Sequence, residues 1–126
     1  YSLTDYSEDA DFDYSMKVVR LISKKVMNEG LKLGTCLNVN IPNVKEDKIK
    51  GIKACRQGKA FWDDTFDHRK DPLGKDYYWL TGSFGSKEPA PETDINYLEN
   101  NYVTIVPTQY DLTCHDSVEE LKKWKL

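Results

Sequence analysis

The sequence predicts an α/β fold, an incomplete α/β unit that carries a long aromatic β-hairpin. Three observations predict it. Residues 11–29 repeat apolar side chains at helical spacing. Residues 36–41 alternate apolar and polar side chains at strand period. Between residues 61 and 82, large aromatics crowd around one strong turn signal.

The helix is predicted over Asp11 to Glu29. Phe12, Met16, Val19, Ile22 and Val26 recur at three- and four-residue steps and form one stripe, and Gly30 supplies a stop. The first strand follows at Cys36 to Ile41. Leu37, Val39 and Ile41 face one way, Asn38 and Asn40 the other, and Pro42-Asn43 closes the run. The asparagines suit a solvent face or a sheet edge better than a cleft lining. Ile49 to Cys55 is a shorter strand candidate bracketed by Gly51 and Gly58.

The hairpin is predicted around Asp71-Pro72-Leu73-Gly74, where proline presets φ and glycine accepts a positive φ. Trp62 and Phe66 lie on one arm, and Tyr77, Tyr78 and Trp79 on the other. A two-stranded ribbon is barely stable alone in water, so this hairpin needs a partner surface. Ser83 to Pro91 reads as a loop with Gly85 and Pro89. Thr93 and Asp94 open a short helix. Tyr102 to Val106 is a β-rich run closed by Pro107. Ser117 and Glu120 form a capping-box pattern before a last helix carrying Val118, Leu121 and Trp124.

Composition sets the class of partner. The 126 residues suit one domain, with 39% apolar and 31% charged side chains. A net charge of -3 gives no field to attract nucleic acid or an anionic membrane. No run approaches the roughly 20 apolar residues of a bilayer span. Cys36, Cys55 and Cys114 fit neither a disulfide framework nor a zinc motif, which is the pattern of reduced thiols and a cytoplasmic location.

Four residue groups offer chemistry. Asp63, Asp64, Asp67 and His68 are the densest set of metal-capable side chains, but strand neighbours point to opposite faces, so a solvated or salt-bridged hairpin is the favoured reading. His115 near Asp111 and Asp116 has the makings of an acid–base pair, yet its place before a helix favours end-capping. Cys114 beside His115 is a weak nucleophile–base candidate, because such partners usually meet only in the fold. Arg56, beside Gln57, is a phosphate-binding candidate through its forked guanidinium, set against a structural salt bridge or subunit contact. No glycine-rich phosphate loop accompanies it. These residues make no complete catalytic set.

The ordered segments do form a pattern. Leu37-Asn38-Val39-Asn40-Ile41-Pro42, Ile49-Lys50-Gly51-Ile52, Arg56-Gln57, Asp71-Pro72-Leu73-Gly74, Tyr77-Tyr78-Trp79, Thr93-Asp94, Tyr102-Val103-Thr104-Ile105-Val106-Pro107 and Asp111-Leu112-Thr113 with His115 succeed one another as in the SurE (survival protein E) family. Tyr1-Ser2-Leu3 resembles the end of that family's "AxS" strand. The resemblance runs essentially from Tyr1 to Leu126.

It implies a Rossmann-like core with a β-rich carboxy-terminal extension. It implies metal-dependent hydrolysis of nucleoside monophosphates with manganese or magnesium. It implies dimers or tetramers built by exchange of the hairpin and the last helix. The oligomerisation residues are then Trp62, Phe66, Tyr77, Tyr78 and Trp79, with Asp111 and His115 capping or anchoring the terminal helix. The family's "NDDG" aspartates, its downstream serine and its "SGxNxGxN" asparagine have no counterpart here, so no catalytic or metal residue is carried over.

The chain, which opens on Tyr1-Ser2-Leu3-Thr4 without methionine, is therefore expected to be a carboxy-terminal half, inactive alone and serving oligomerisation. Residues 1–60 would belong to the core, 61–92 to the projecting hairpin and loop, and 93–126 to the final strand and terminal helix. Two rivals stand beside this expectation. One is a free-standing protein-interaction module using the aromatic hairpin. The other is an enzyme complete in itself around Asp63, Asp64, Asp67 and His68.

Overall fold

A computed structural model describes residues 1–86 and 91–125 of the chain. Its elements in order are β1 (Ser2–Leu3), α1 (Asp13–Glu29), β2 (Thr35–Ile41), β3 (Gly51–Ala54), β4 (Ala60–Lys70), β5 (Asp76–Ser86), α2 (Asp94–Glu99), β6 (Tyr102–Gln109) and α3 (His115–Leu121). One sheet runs β1-β2-β6-β3, and β4 and β5 form a separate ribbon. β1 is parallel to β2, β6 is antiparallel to β2, and β3 is parallel to β6. The fold is thus mixed α/β with a projecting hairpin and a terminal helix, as the sequence predicts. β6 returns after the hairpin to lie inside the sheet, so the sheet draws on residues from both sides of the ribbon.

Strand alternation builds the core. Val39 sits opposite Ile105 in register, which puts Leu37, Val39 and Ile41 on the same face as Val103 and Ile105. Val18 and Ile22 of α1 close over that face, and Val18, Ile22, Val39, Ile41 and Val103 are buried. Each such apolar side chain contributes about 1.5–3 kcal/mol on burial.

The helix keeps the carboxy-terminal part of the predicted stripe, Ile22 and Val26, against the core but not its amino-terminal part. Ser15, Val18 and Ile22 are its buried positions, while Phe12 and Met16 stay 55% and 48% exposed. Phe12, Met16 and Val19 instead line a shallow pocket with Tyr1 and Leu3. Gly30 ends the helix at φ 74°, its N–H bonded to the Val26 carbonyl.

β2 is an interior strand, so the edge reading of its asparagines is corrected. Asn38 is exposed and Asn40 half-buried, on the face opposite α1. That face also carries the buried Thr104, directly opposite Asn40. α2 packs near it, its start capped by the Thr93 hydroxyl, which accepts the Asn96 N–H at 3.4 Å.

Two boundaries move. β5 continues to Ser86, so Ser83 and Gly85 are strand rather than loop, and residues 87–90, with Pro89, lie outside the described residues. Gly85 faces Phe61, whose ring occupies the space a Cβ would need, 2.9 Å from the Cζ atom. α3 starts at His115, with Cys114 rather than Ser117 at its N-cap position. The expected capping box is absent because Ser117 lies inside the helix rather than at its cap.

The hairpin turn forms as predicted. Asp71 Oδ1 accepts the N–H groups of Leu73 (2.9 Å) and Lys75 (2.8 Å), its carbonyl accepts that of Gly74 (2.9 Å), and Gly74 takes φ 80°.

Candidate functional site

The hairpin is eleven paired positions long on each arm. Its arms pack on each other rather than on the core. Pairing sorts its side chains into two faces. Trp62, Phe66 and His68 share one face with Phe84, Leu80 and Tyr78. Tyr77 and Trp79 lie on the other, opposite Arg69 and Asp67. The predicted aromatic set is therefore split between two faces. Trp62 meets Phe84 edge-on at 6.0 Å, and His68 stacks on Tyr78 at 4.9 Å. Phe66 is 69% exposed, Trp62 63% and Tyr78 64%.

The acidic cluster on β4 does not converge. Asp67 pairs with Arg69 at 2.6 Å, and His68 Nε2 meets Asp76 Oδ1 at 2.8 Å. Asp63 and Asp64 point to opposite faces. Among the described residues no three His, Cys, Asp or Glu side chains come together. The β4 carboxylates thus lie on both faces of the ribbon rather than gathered as one ligand set.

A second locus lies past the end of β3, along the last residues of β6. There Arg56, Gln57, Thr108, Gln109 and Asp111 line an open cleft of about 840 Å³ with buried Val106 and exposed Pro107 and Leu112 as its apolar lining. Two of the singled-out residues, Arg56 and Asp111, are thus brought to one concavity. Arg56 is exposed, and its Nη1 donates to the Gln57 carbonyl at 3.4 Å.

The corner that carries Arg56 is fixed by Asp94. The Asp94 N–H donates to the Arg56 carbonyl at 3.0 Å. Its Oδ1 accepts the N–H groups of Gly58 (2.7 Å) and Ile95 (2.9 Å). Burial, then the Asp94 charge, pushes the neighbouring Cys55 thiol up. In sequence Asp94 reads only as part of a helix cap; its grip on Gly58 has no local signal because the partner is 36 residues away.

Asp111 Oδ2 and His115 Nε2 meet at 2.7 Å just ahead of and at the start of α3. Hydrogen bonds from the Thr113 hydroxyl and N–H, then from His115, hold the Asp111 carboxyl below its ordinary range. Cys114 does not bond His115; its Sγ lies 3.0 Å from Ser117 Oγ, and the Ser117 hydroxyl, then its N–H, lowers the thiol.

A mixed sheet with one long excursion and a cleft at its strand ends defines an α/β domain built around an accessory ribbon. Residues 1–64 match the family model of survival protein SurE. The chain is 49% identical over its whole length to a 5'-nucleotidase SurE of Christiangramia forsetii, covering 48% of that protein. It is 45% identical, again over its whole length, to a 5'-nucleotidase SurE of Flavobacterium psychrophilum, covering 49% of it. It superimposes on the crystal structure of SurE protein from Aquifex aeolicus with a TM-score of 0.74 and 38% identity, over 91% of this chain and 46% of that one. The chain belongs to the SurE family. It spans about half the length of the curated relatives it matches. Among the described residues, no helix is long and apolar enough to cross a membrane.

Proposed function

We propose that this chain is part of a divalent-metal phosphatase that hydrolyses nucleoside monophosphates. Its own share would be assembly and cleft shaping rather than bond breaking. The observation that carries the reading is the 49% identity, without loss of coverage along the chain, to a protein named 5'-nucleotidase SurE. Dispersed carboxylates on β4, each drawn into its own ion pair or face, support placing manganese or magnesium on residues outside this half.

The exposed aromatic ribbon supports a homo-oligomer, dimer or tetramer, with Trp62, Phe66, Tyr77, Tyr78 and Trp79 as its contacts and α3, anchored through Asp111 and His115, as a second exchanged element. The domain reading keeps residues 61–92 as the projecting assembly unit. Three free cysteines support a reducing, cytoplasmic setting.

The test is phosphatase activity of the purified 126-residue chain with manganese or magnesium and a nucleoside monophosphate. No turnover is expected. Turnover abolished by a chelator would show that this half holds its own site. A chain that stays monomeric while its hairpin captures other proteins would favour the free-standing interaction module.

A further inference from the structure

One face of the ribbon is complementary to itself. We propose that two copies of this chain stack these faces antiparallel, about a two-fold axis that passes by Phe66 and Leu80. This pairing rests on the homo-oligomer reading and gives it a face, a direction and residue pairs.

The two faces differ in chemistry. On one, Trp62 and Phe84 pair at the base, Phe66 and Leu80 in the middle, and His68 and Tyr78 nearer the turn. Asp64 and Gly82 lie between the base and the middle, and Lys70 and Asp76 end the row. Trp62, Phe66 and Tyr78 keep most of their surface in water, as do Leu80 (60%) and Phe84 (52%). A continuous exposed apolar patch marks a contact surface. The opposite face is interrupted by Asp63, Asp67 and Arg69, and Asp67 holds Arg69 at 2.6 Å. The arms pack on each other rather than on the core, which leaves the apolar face open.

Self-matching selects a second copy as the occupant. A half-turn about an axis across the strands lays each arm on its own copy, running the opposite way. Phe66 then meets Phe66, and Leu80 meets Leu80. One step to either side, Tyr78 of one copy stands over Gly82 of the other. The glycine leaves a gap in the apolar face, and the phenol ring fills it once in each half. In the same arrangement Asp64 faces His68, and Trp62 faces Lys70 as a cation–π pair.

The charges match without breaking any existing contact. His68 Nε2 and Lys70 Nζ share a single oxygen, Asp76 Oδ1, at 2.8 and 3.7 Å. Among the described residues, Asp64 joins none of the ribbon's ion pairs. The half-turn brings this spare carboxylate of the basal half to the basic groups near the turn. Stacking in the same direction instead sets Asp64 on Gly82, gap on gap, and buries the carboxylate without a counter-charge, which is costly. A half-turn also closes on itself, so the contact ends at two copies.

The experiment starts with ultracentrifugation of the 126-residue chain, which should be an oligomer. Chains carrying Trp62→Cys are then mixed with chains carrying Lys70→Cys and treated with a bismaleimide of about 10 Å reach, the spacing of stacked sheets. Peptide mass mapping should find position 62 joined to position 70, a link that can form only between chains. Separately, Asp64→Lys should weaken association about tenfold or more by setting like charges together, while Asp63→Lys, on the opposite face, should leave it unchanged. Amide NMR spectra check that both variants keep the fold. A link between two copies of position 62, or indifference to Asp64→Lys in a chain that does associate, would overturn the pairing and leave the homo-oligomer reading intact. A monomer at every concentration would overturn both.

Discussion

Asp94 reaches back across 36 residues to accept the Gly58 N–H at 2.7 Å, joining the start of α2 to the connection between β3 and β4. The carboxylate is almost buried and serves a second N–H, that of Ile95. Removing it leaves two donors without a partner. Hydrogen bonds to charged groups are worth about 1.5–3 kcal/mol each, so Asp94→Ala should destabilise the chain by about 2–4 kcal/mol. Asp94→Asn, which keeps an acceptor oxygen, should recover more than half of that. Urea denaturation of the three proteins measures both.

Gly82 of the hairpin has no such latitude. A Cβ there would lie 2.7 Å from the Asp63 carbonyl oxygen, a backbone atom that cannot rotate away. Gly82→Ala should part the β4–β5 ladder around its Asp64 pair while leaving the core sheet intact. Amide hydrogen exchange should rise at residues 62–66 and 80–84 but not in β2 or β6.

The aromatic face of the hairpin offers a third test. Phe66 stands in its middle, across from Leu80, with most of its surface in water. Truncating an anchor residue costs about 2 kcal/mol or more at an interface centre. In the proposed homo-oligomer, Phe66→Ala should raise the dissociation constant about thirtyfold. Trp79→Ala, on the opposite face, separates the two faces by which of them weakens assembly in analytical ultracentrifugation.

The α3 anchor should respond to acid. Asp111 titrates below its ordinary 3.8 in the folded chain. A depressed carboxyl stabilises the fold above the unfolded value and loses that contribution as pH falls through the folded one. The amide signals of Thr113 and His115 should therefore shift at a lower pH than an ordinary carboxyl would dictate. In Asp111→Asn no such transition should occur.

Thiol chemistry gives the last prediction. Cys114 is exposed with a lowered pKa, while Cys55 is half-buried with a raised one. The thiolate is the reacting form. Iodoacetamide at neutral pH should label Cys114 well before Cys55, as read by peptide mass mapping. Ser117→Ala should slow the labelling of Cys114.

The elements governed by short-range chemistry were legible in the sequence. The Asp71–Gly74 turn, the Thr93 cap and the Gly30 stop each depend on groups a few residues apart. The burial of Ser15 on α1 was not, because it depends on a sheet that sequence periodicity does not contain. Nor was the interior place of β2, which depends on β1 and β6 arriving on either side. At the candidate site, Arg56 and Asp111 could be singled out by type, but their shared cleft follows from the pairing of β3 with β6. The split of the hairpin aromatics was within reach, since alternation along β5 already separates Tyr78 from Tyr77 and Trp79.

The late return of β6 to the middle of the sheet also sets an order of events during synthesis. Thr108 bonds the Cys36 carbonyl across 72 residues, and nothing local replaces that link. Loops this long close slowly, whereas a two-arm ribbon pairs within microseconds. The two hairpin arms can therefore meet while β2 and β3 still await their common neighbour. Until β6 is synthesised, the hydrophobic centre stays open. Chaperone demand should consequently peak just before residue 102 emerges.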